Sequence, residues 1–183
     1  MRRKTLFAAT LAAAAVLGAG SATTGQAAAA ASAPRGAVAT FEGKKTDLSG
    51  GWGAAKACGV WQNSVNCFRT TAELDRKATQ VYADRTAAGI RARCSSPLEL
   101  GEHIDLRPNG RILRFYDRGS WQNLTRYNFN NKTSSYRTGA CTAHLAENLG
   151  GEGNWYPGNT GPNHYERAMS SRWNDRVSSI KID

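Results

Sequence analysis

A seven-residue pattern occurs twice in the second half of the chain and limits the folds that this half can adopt. The copies are residues 129–135, FNNKTSS, and residues 173–179, WNDRVSS, with a spacing of 44 residues. In both, an aromatic residue precedes two Asn/Asp positions, two free positions and a Ser-Ser pair. A repeat of this kind is typical of one supersecondary unit used twice.

Side chains that carry oxygen dominate both copies, and two interpretations follow. Asn, Asp and Ser commonly bond their own backbone in turns. The same groups, together with backbone carbonyls, are the ligands that Ca²⁺ prefers. Two matched copies favour a cation site, and a purely structural turn remains the alternative.

The pattern (Asn/Asp)-(Asn/Asp)-x-x-(Ser/Thr)-Ser resembles the calcium-binding signature of the βγ-crystallin domain, and both copies match it at every fixed position. The resemblance covers residues 94–183 and implies a mainly β fold in which two Greek-key motifs, at about 96–139 and 140–182, form a sandwich. Within that family the chain looks most similar to small secreted bacterial proteins, a group that includes metalloproteinase inhibitors.

The resemblance also implies that up to two calcium ions are shared between the two keys. One key gives a backbone carbonyl from its third motif position and a hydroxyl from its fifth. The other gives the oxygen of its second position and a hairpin carbonyl, often at a glutamate. One site would use Lys132, Ser134, Asp175 and Glu147, and the other would use Arg176, Ser178, Asn131 and Glu102. Only Asp175 supplies a side-chain carboxylate, so we expect unequal affinities.

Short alternating segments separated by Gly and Asn predict the strands of this half. Residues 98–100 and 111–115 flank the hairpin signal Asn109-Gly110, and residues 144–147 and 154–156 are the corresponding strands of the second unit. We expect Phe129 and Trp173 to fill the core between the sheets.

Residues 1–33 have the composition of a secretory signal. Arg2, Arg3 and Lys4 precede an apolar stretch from Leu6 to Leu17, and small residues end the segment. The apolar stretch is shorter than the ~20 residues that span a bilayer. We therefore expect an exported, soluble, extracellular protein, whose net charge falls from +10 to +7 on removal of those three basic residues.

Four cysteines follow the signal, and in an exported chain an even count indicates two disulfides. Zinc is disfavoured, because the spacing offers no paired-cysteine motif. Residues 57–68 predict a hairpin about Gln62-Asn63 in which Cys58 faces Cys67 at a non-hydrogen-bonded pair, close enough to bridge. Cys94–Cys141 follows by elimination.

Residues 34–93 predict a small N-terminal module made of this hairpin and a helix. Thr70 and Glu73 form a capping box, apolar residues recur at helical spacing from Leu74 to Tyr82, and Gly89 can end the helix. No pattern in this module indicates chemistry, and we expect a structural or propeptide-like role.

Three functions remain compatible with the sequence. The first is calcium binding that stabilises the fold. The second is inhibition of an extracellular protease, for which Pro157–Pro162 is a candidate loop, and the third is antimicrobial or wall-associated activity suggested by the basic charge. Because no catalytic motif occurs, we expect a non-enzymatic protein. We further expect a monomer with no specific nucleic-acid partner and no membrane partner.

Overall fold

A computed structural model of the chain describes residues 36–62, 64–89 and 94–183, so the predicted signal segment lies outside the described part. The described residues all fall within one compact unit, Ser32–Asp183. Its helix is α1 (Thr71–Ala87). Its strands are β1 (Val38–Phe41), β2 (Lys44–Asp47), β3 (Ala57–Trp61), β4 (Ser64–Phe68), β5 (Leu98–Gly101), β6 (Ile112–Phe115), β7 (Gln122–Asn123), β8 (Ser135–Arg137), β9 (Ala143–Ala146), β10 (Tyr165–Glu166) and β11 (Ser179–Ile182). Short 3₁₀ turns cover Leu48–Gly50, Ile104–Leu106, Leu124–Tyr127 and Leu149–Gly151.

The strands form two sheets, which confirms the mainly β prediction. The larger has the order β10-β8-β5-β6-β3-β4-β1-β2 and the smaller has the order β7-β11-β9. Each key contributes one strand to a sheet that holds the other key's strands, since β7 pairs with β11 and β10 pairs with β8. The two keys are therefore interlocked through their backbone hydrogen bonds.

The N-terminal strands continue the larger sheet. Strand β3 runs parallel to β6, with Cys58 opposite Leu113, and β1 runs parallel to β4. The hairpin and the helix predicted for residues 34–93 are both present, and a β1–β2 hairpin adds the sheet edge. The domain boundary at residue 93 stays a prediction, but the sheet crosses it.

The hairpin register and both disulfides are confirmed. Cys58 faces Cys67 and Trp61 faces Ser64 in the β3–β4 ladder. The Cα atoms of Cys58 and Cys67 are 4.1 Å apart, and those of Cys94 and Cys141 are 5.7 Å apart, each pair disulfide-bonded. The second disulfide joins Cys94, just before the first key, to Cys141 at the start of the second.

Helix α1 begins as its sequence predicts. The Thr70 side chain accepts from the Glu73 backbone, and the Glu73 carboxylate accepts from the Thr70 N–H. Leu74 and Ala78 of the helix are buried against a small second core that includes Trp61. No helix among the described residues is long and apolar enough to cross a membrane.

The main core lies between the two sheets and contains both aromatic residues that precede the motifs. Phe129 is fully buried and Trp173 is 3% exposed, as predicted. The strand predicted for residues 154–156 is wrong in extent, because the structure has only a single bridge between Trp155 and Ala146. Pro157 follows, and without an N–H it cannot extend a ladder.

Candidate metal centre

The two repeated loops lie against each other in a pseudo-symmetric arrangement. The N–H of Asn131 donates to the carbonyl of Val177 and the N–H of Asp175 donates to the carbonyl of Thr133, both at 3.0 Å. Counted in the six-residue pattern, which begins at Asn130 and at Asn174, the second position of each motif bonds the fourth position of the other. This exchange brings the Asn/Asp side chain of one key to the serine of its partner key.

The second position of each motif requires a left-handed backbone. Asn131 has φ 53° and Asp175 has φ 55°. Asn and Asp are enriched in this region among residues other than glycine. This explains the residue types at these positions even without a ligand, so the ligand hypothesis must rest on where the side-chain oxygens lie.

Three oxygens from both keys converge at Ser134. Its Oγ donates to the Glu102 carbonyl at 2.9 Å and lies 3.4 Å from Asp175 Oδ1. Calcium holds oxygens at about 2.4 Å, so neighbouring ligands at right angles lie about 3.4 Å apart. Ser134 is buried while Asp175 is exposed, which leaves one side of this cluster open to water. The donor set fits a calcium ion.

A second cluster forms at the equivalent place in the other key. Ser178 Oγ donates to Asn131 Oδ1 at 3.1 Å. The N–H of Ser178 bonds the Ala146 carbonyl, just as the N–H of Ser134 bonds the Gly101 carbonyl, both at 2.9 Å. Glu147 therefore stands beside Ser178 as Glu102 stands beside Ser134. This cluster has an amide oxygen where the first has a carboxylate.

The predicted assignment of the two glutamates is wrong. Glu147 was expected with Ser134 and Glu102 with Ser178, but the Ser134 hydroxyl bonds the Glu102 carbonyl. The reason is that the hairpin and the serine of one key are joined within that key, since β5 pairs with β8. Only the Asn/Asp position crosses to the other key.

The remaining predicted ligands are the backbone carbonyls of Lys132 and Arg176. Both residues lie in the motif loops, two positions before the serines, with Lys132 partly buried and Arg176 exposed. Among the described contacts, none joins either carbonyl oxygen to its cluster. Their role as ligands stays a prediction.

The last serine of each motif has a structural role that the sequence did not predict. Ser135 Oγ donates to the His103 carbonyl at 2.6 Å and accepts from the Leu106 N–H. Ser179 Oγ makes the equivalent bonds, to the Asn148 carbonyl at 2.6 Å and from the Gly151 N–H. These bonds hold the 3₁₀ turn that follows each glutamate, and so fix the backbone next to the candidate carbonyl.

The side chains of the two glutamates have different partners. The guanidinium of Arg111 bonds both oxygens of the Glu102 carboxylate and lowers its pKa below the ordinary value. Glu147 Oε1 accepts from Asn154 Nδ2 at 3.1 Å. Because the Glu102 carboxylate is paired, its backbone carbonyl is the oxygen left for the cluster.

Two buried polar atoms of the first motif have no protein partner. They are Asn130 Oδ1 and Thr133 Oγ1. A buried polar atom without a hydrogen bond costs about 1–3 kcal/mol. The motif thus carries polar atoms that the described protein contacts leave unsatisfied, as expected where water or an ion completes the structure.

The clusters are rich in neutral oxygen and poor in strong metal ligands. Among the described residues, no group of three or more His, Cys, Asp or Glu is placed to hold a metal ion. The first cluster combines a hydroxyl, a backbone carbonyl and one carboxylate, which are oxygen donors of the kinds that Ca²⁺ accepts.

The predicted inhibitor loop, Pro157–Pro162, is tied to the body of the protein. The Tyr136 hydroxyl donates to the Asn159 carbonyl at 2.7 Å, and the Thr138 hydroxyl donates to the Gly161 carbonyl at 2.6 Å. The Thr160 carbonyl accepts from the Ala143 N–H at 3.0 Å. Burial raises the pKa of Tyr136 far above its ordinary value, so the hydroxyl remains a donor.

Comparison with known proteins gives matches only among solved structures. No protein-family model matches the sequence, and no curated protein matches it. The matching structures include a βγ-crystallin domain from Flavobacterium johnsoniae, at 23% identity and a TM-score of 0.36, covering 47% of this chain and 92% of that one. A βγ-crystallin from Ciona intestinalis matches at 20% identity and a TM-score of 0.40, covering 48% of this chain and all of that one.

A third match, a βγ-crystallin domain from Clostridium beijerinckii, has 20% identity and a TM-score of 0.39, and covers 48% of this chain and 97% of that one. All three are βγ-crystallin domains, and each aligns with about half of this chain. Identities in this range concern the fold alone and say nothing about ligands.

Proposed function

We propose that this protein is an exported calcium-binding protein in which up to two ions bridge the two Greek keys and stabilise the fold. The observation that carries the proposal is the Ser134 hydroxyl, which lies between the Glu102 carbonyl of its own key and the Asp175 carboxylate of the other. A cation there would tie together oxygens that come from both keys.

The residues at this place would change little on binding. Ser134 now donates its proton to the Glu102 carbonyl, whereas a cation needs the lone pairs of both oxygens. The hydroxyl would therefore turn its proton away, and the hydrogen bond would be replaced by two metal–oxygen contacts. The backbone bond from Ser134 to Gly101 and the crossing bond from Asp175 to Thr133 would remain.

Export is part of the proposal. It is supported by the signal-like segment at residues 1–33 and by the two disulfides, which form and persist in oxidising compartments. Extracellular calcium modules work with dissociation constants of about 10⁻⁴–10⁻³ M, which suits a shell with one carboxylate.

The test is calcium titration of the chain without its signal, together with thermal unfolding. Because the unfolded chain lacks the bridged geometry, stabilisation should follow RT ln(1 + [Ca²⁺]/Kd), or about 2.7 kcal/mol per site at a hundredfold excess. For a chain of this size we expect the unfolding midpoint to rise by about 5–10 °C per site between chelator and excess calcium.

Magnesium is the control, because it demands a tighter octahedron and should stabilise much less. An unchanged midpoint together with no heat of calcium binding would mean that the two motifs serve only as turns, and the proposal would fail.

Protease inhibition is the second candidate function, favoured by the three hydrogen bonds that hold the 157–162 loop rigid. Inhibitors bind with little change of backbone conformation, so a preformed loop is a requirement. Assays against metallo-, serine and cysteine proteases test it. Absence of inhibition in all three classes would remove this candidate and leave calcium binding unaffected.

A further inference from the structure

Both the backbone and the side chain of Glu102 are fixed by hydrogen bonds to Arg111. Its Oε2 accepts from the N–H and the Nε of Arg111, both at 3.0 Å, and its Oε1 accepts from Nη2 at 2.6 Å. The N–H of Glu102 in turn donates to the Arg111 carbonyl at 2.9 Å. With backbone and side chain both fixed, the direction of the Glu102 carbonyl is fixed as well.

Arg111 is itself enclosed by aromatic rings. Its guanidinium carbon lies 5.3 Å from the ring centroid of Trp52 and 5.9 Å from that of Phe129. These are cation–π distances, and they orient the planar guanidinium towards Glu102. The Arg111 side chain is only 18% exposed. Trp52 is therefore one of the groups that surround Arg111, together with Phe129, Glu102 and the Asn128 carbonyl.

Trp52 belongs to the N-terminal segment and not to either key. It is 3% exposed, its Nε1 donates to the Tyr127 carbonyl at 2.6 Å, and its ring lies 5.7 Å from Phe129. Asn128 Nδ2 adds a bond to the Ser49 carbonyl at 3.1 Å. The N-terminal segment therefore contacts the residues immediately before the first motif.

The second key has no equivalent support in the described contacts. Arg111 donates to both carboxylate oxygens of Glu102, whereas the Glu147 carboxylate accepts a single bond from the neutral amide of Asn154. Pseudo-symmetry relates the two glutamates, so the difference lies in what surrounds them. Among the described residues, the cluster with Ser134 and Asp175 is the one connected to the N-terminal segment in this way.

We infer that Arg111, held by Trp52, positions the Glu102 carbonyl for the metal ion, so that the N-terminal segment is a working part of the calcium site formed by Ser134 and Asp175. This inference rests on the proposed calcium-binding function. It assigns a role to a segment in which the sequence shows no chemistry, and it makes the affinity of one site, and not of the other, depend on residues outside the two keys.

The test is Arg111→Lys in the full chain without its signal. Lysine keeps the positive charge, so the electrostatic effect on the ion stays the same, but it cannot form the bidentate pair or stack between the rings. To observe one site alone, the measurement uses an Asn131→Gly background, which removes the amide oxygen of the other site and accepts the left-handed backbone.

Calcium titration calorimetry should show about tenfold weaker binding for Arg111→Lys, the low end of what losing an outer-shell partner of a metal ligand costs. The matched control is Arg114→Lys. Arg114 is also a largely buried arginine paired with a glutamate, Glu99, but it makes no described contact with the metal cluster. It should lower stability without changing calcium affinity.

A second pair of variants tests the same inference in case Arg111→Lys does not fold. Trp52→Leu removes the ring beside Arg111, and Trp61→Leu removes a buried tryptophan that stacks on Tyr116 in the other core. Near-ultraviolet circular dichroism confirms that each variant is folded before titration. Trp52→Leu should weaken calcium binding, while Trp61→Leu should not.

The outcomes separate the two proposals. No calcium binding in the unsubstituted chain overturns the proposed function, and this inference with it. Calcium binding with equal affinity in the Arg111 and Arg114 variants, and in the two tryptophan variants, overturns the inference alone. Weakened binding confined to Arg111→Lys and Trp52→Leu supports it.

Discussion

The carboxylate of Asp175 should set the difference between the two sites, and exchanging it with Asn131 tests this directly. Both residues have the same left-handed backbone, with φ near 55° and 53°, and both tolerate either side chain. Asp175→Asn therefore removes one negative charge while it keeps a side-chain oxygen and the local conformation. Asn131→Asp adds the same charge at the other site.

The magnitude follows from Coulomb's law. A divalent cation and a carboxylate charge about 4 Å apart in a water-like dielectric interact by about 2 kcal/mol. Asp175 is exposed, so the water-like value is the suitable one. This corresponds to about thirtyfold in affinity, or about 4–8 °C of calcium-dependent stabilisation for a chain of this size.

The assay is thermal unfolding in chelator and in excess calcium, with calorimetry for the affinities. Asp175→Asn should lose most of the stronger binding event, Asn131→Asp should strengthen the weaker one, and the double exchange should return one strong and one weak site. In chelator all three should unfold close to the starting protein. If Asp175→Asn lowers the midpoint equally in chelator and calcium, the carboxylate acts on the turn and the reasoning is refuted.

Two further predictions concern stability. Gly151→Ala should lower the free energy of unfolding in urea by about 2–4 kcal/mol, because the glycine has φ 84° and an added Cβ would lie 2.1 Å from the Trp121 ring. The control is Gly50→Ala, which should be nearly neutral because a Cβ there meets no atom within 4 Å. Equal effects of the two substitutions would contradict this packing argument. Replacing Cys94 and Cys141 by Ser should lower the free energy of unfolding by about 4 kcal/mol, because the disulfide closes a loop of 47 residues. The loss should be the same in calcium and in chelator if the disulfide and the calcium sites act independently. A loss that depends on calcium would contradict that independence.

Local sequence patterns predicted what depends on local periodicity. The alternation of a strand has a period of two, so the facing of Cys58 and Cys67 follows once the turn is placed. Similarly, a capping box needs only Thr70 and Glu73. The resemblance to the βγ-crystallin signature implied that the second position of one motif would meet the serine of the other, and the Ser134–Asp175 and Ser178–Asn131 contacts agree with it.

The sequence did not predict which distant segments of the chain pair with each other. Two equivalent glutamates can be assigned to two serines in either of two ways, and the repeat alone does not distinguish them. The deciding contact is the β5–β8 ladder, where Leu100 faces Tyr136. The parallel pairing of β3 with β6 is similar, because it joins residues about 55 positions apart, such as Ala57 and Ile112. Nothing in the sequence indicated that Trp52 contacts residues beside the first motif, since these residues become neighbours only in the fold.

The geometry also indicates how calcium would act. The pairings of strands β7 and β10, the crossing bonds from Asn131 and Asp175, and the bonds from Ser135 and Ser179 all join one protein group to another. The ligand oxygens are therefore already gathered by the protein's own hydrogen bonds. A site that is assembled only by its metal makes folding depend on that metal, whereas a preformed site adds its binding energy to an already folded chain. Because little ordering has to accompany binding, even a shell with one carboxylate can bind at extracellular calcium concentrations.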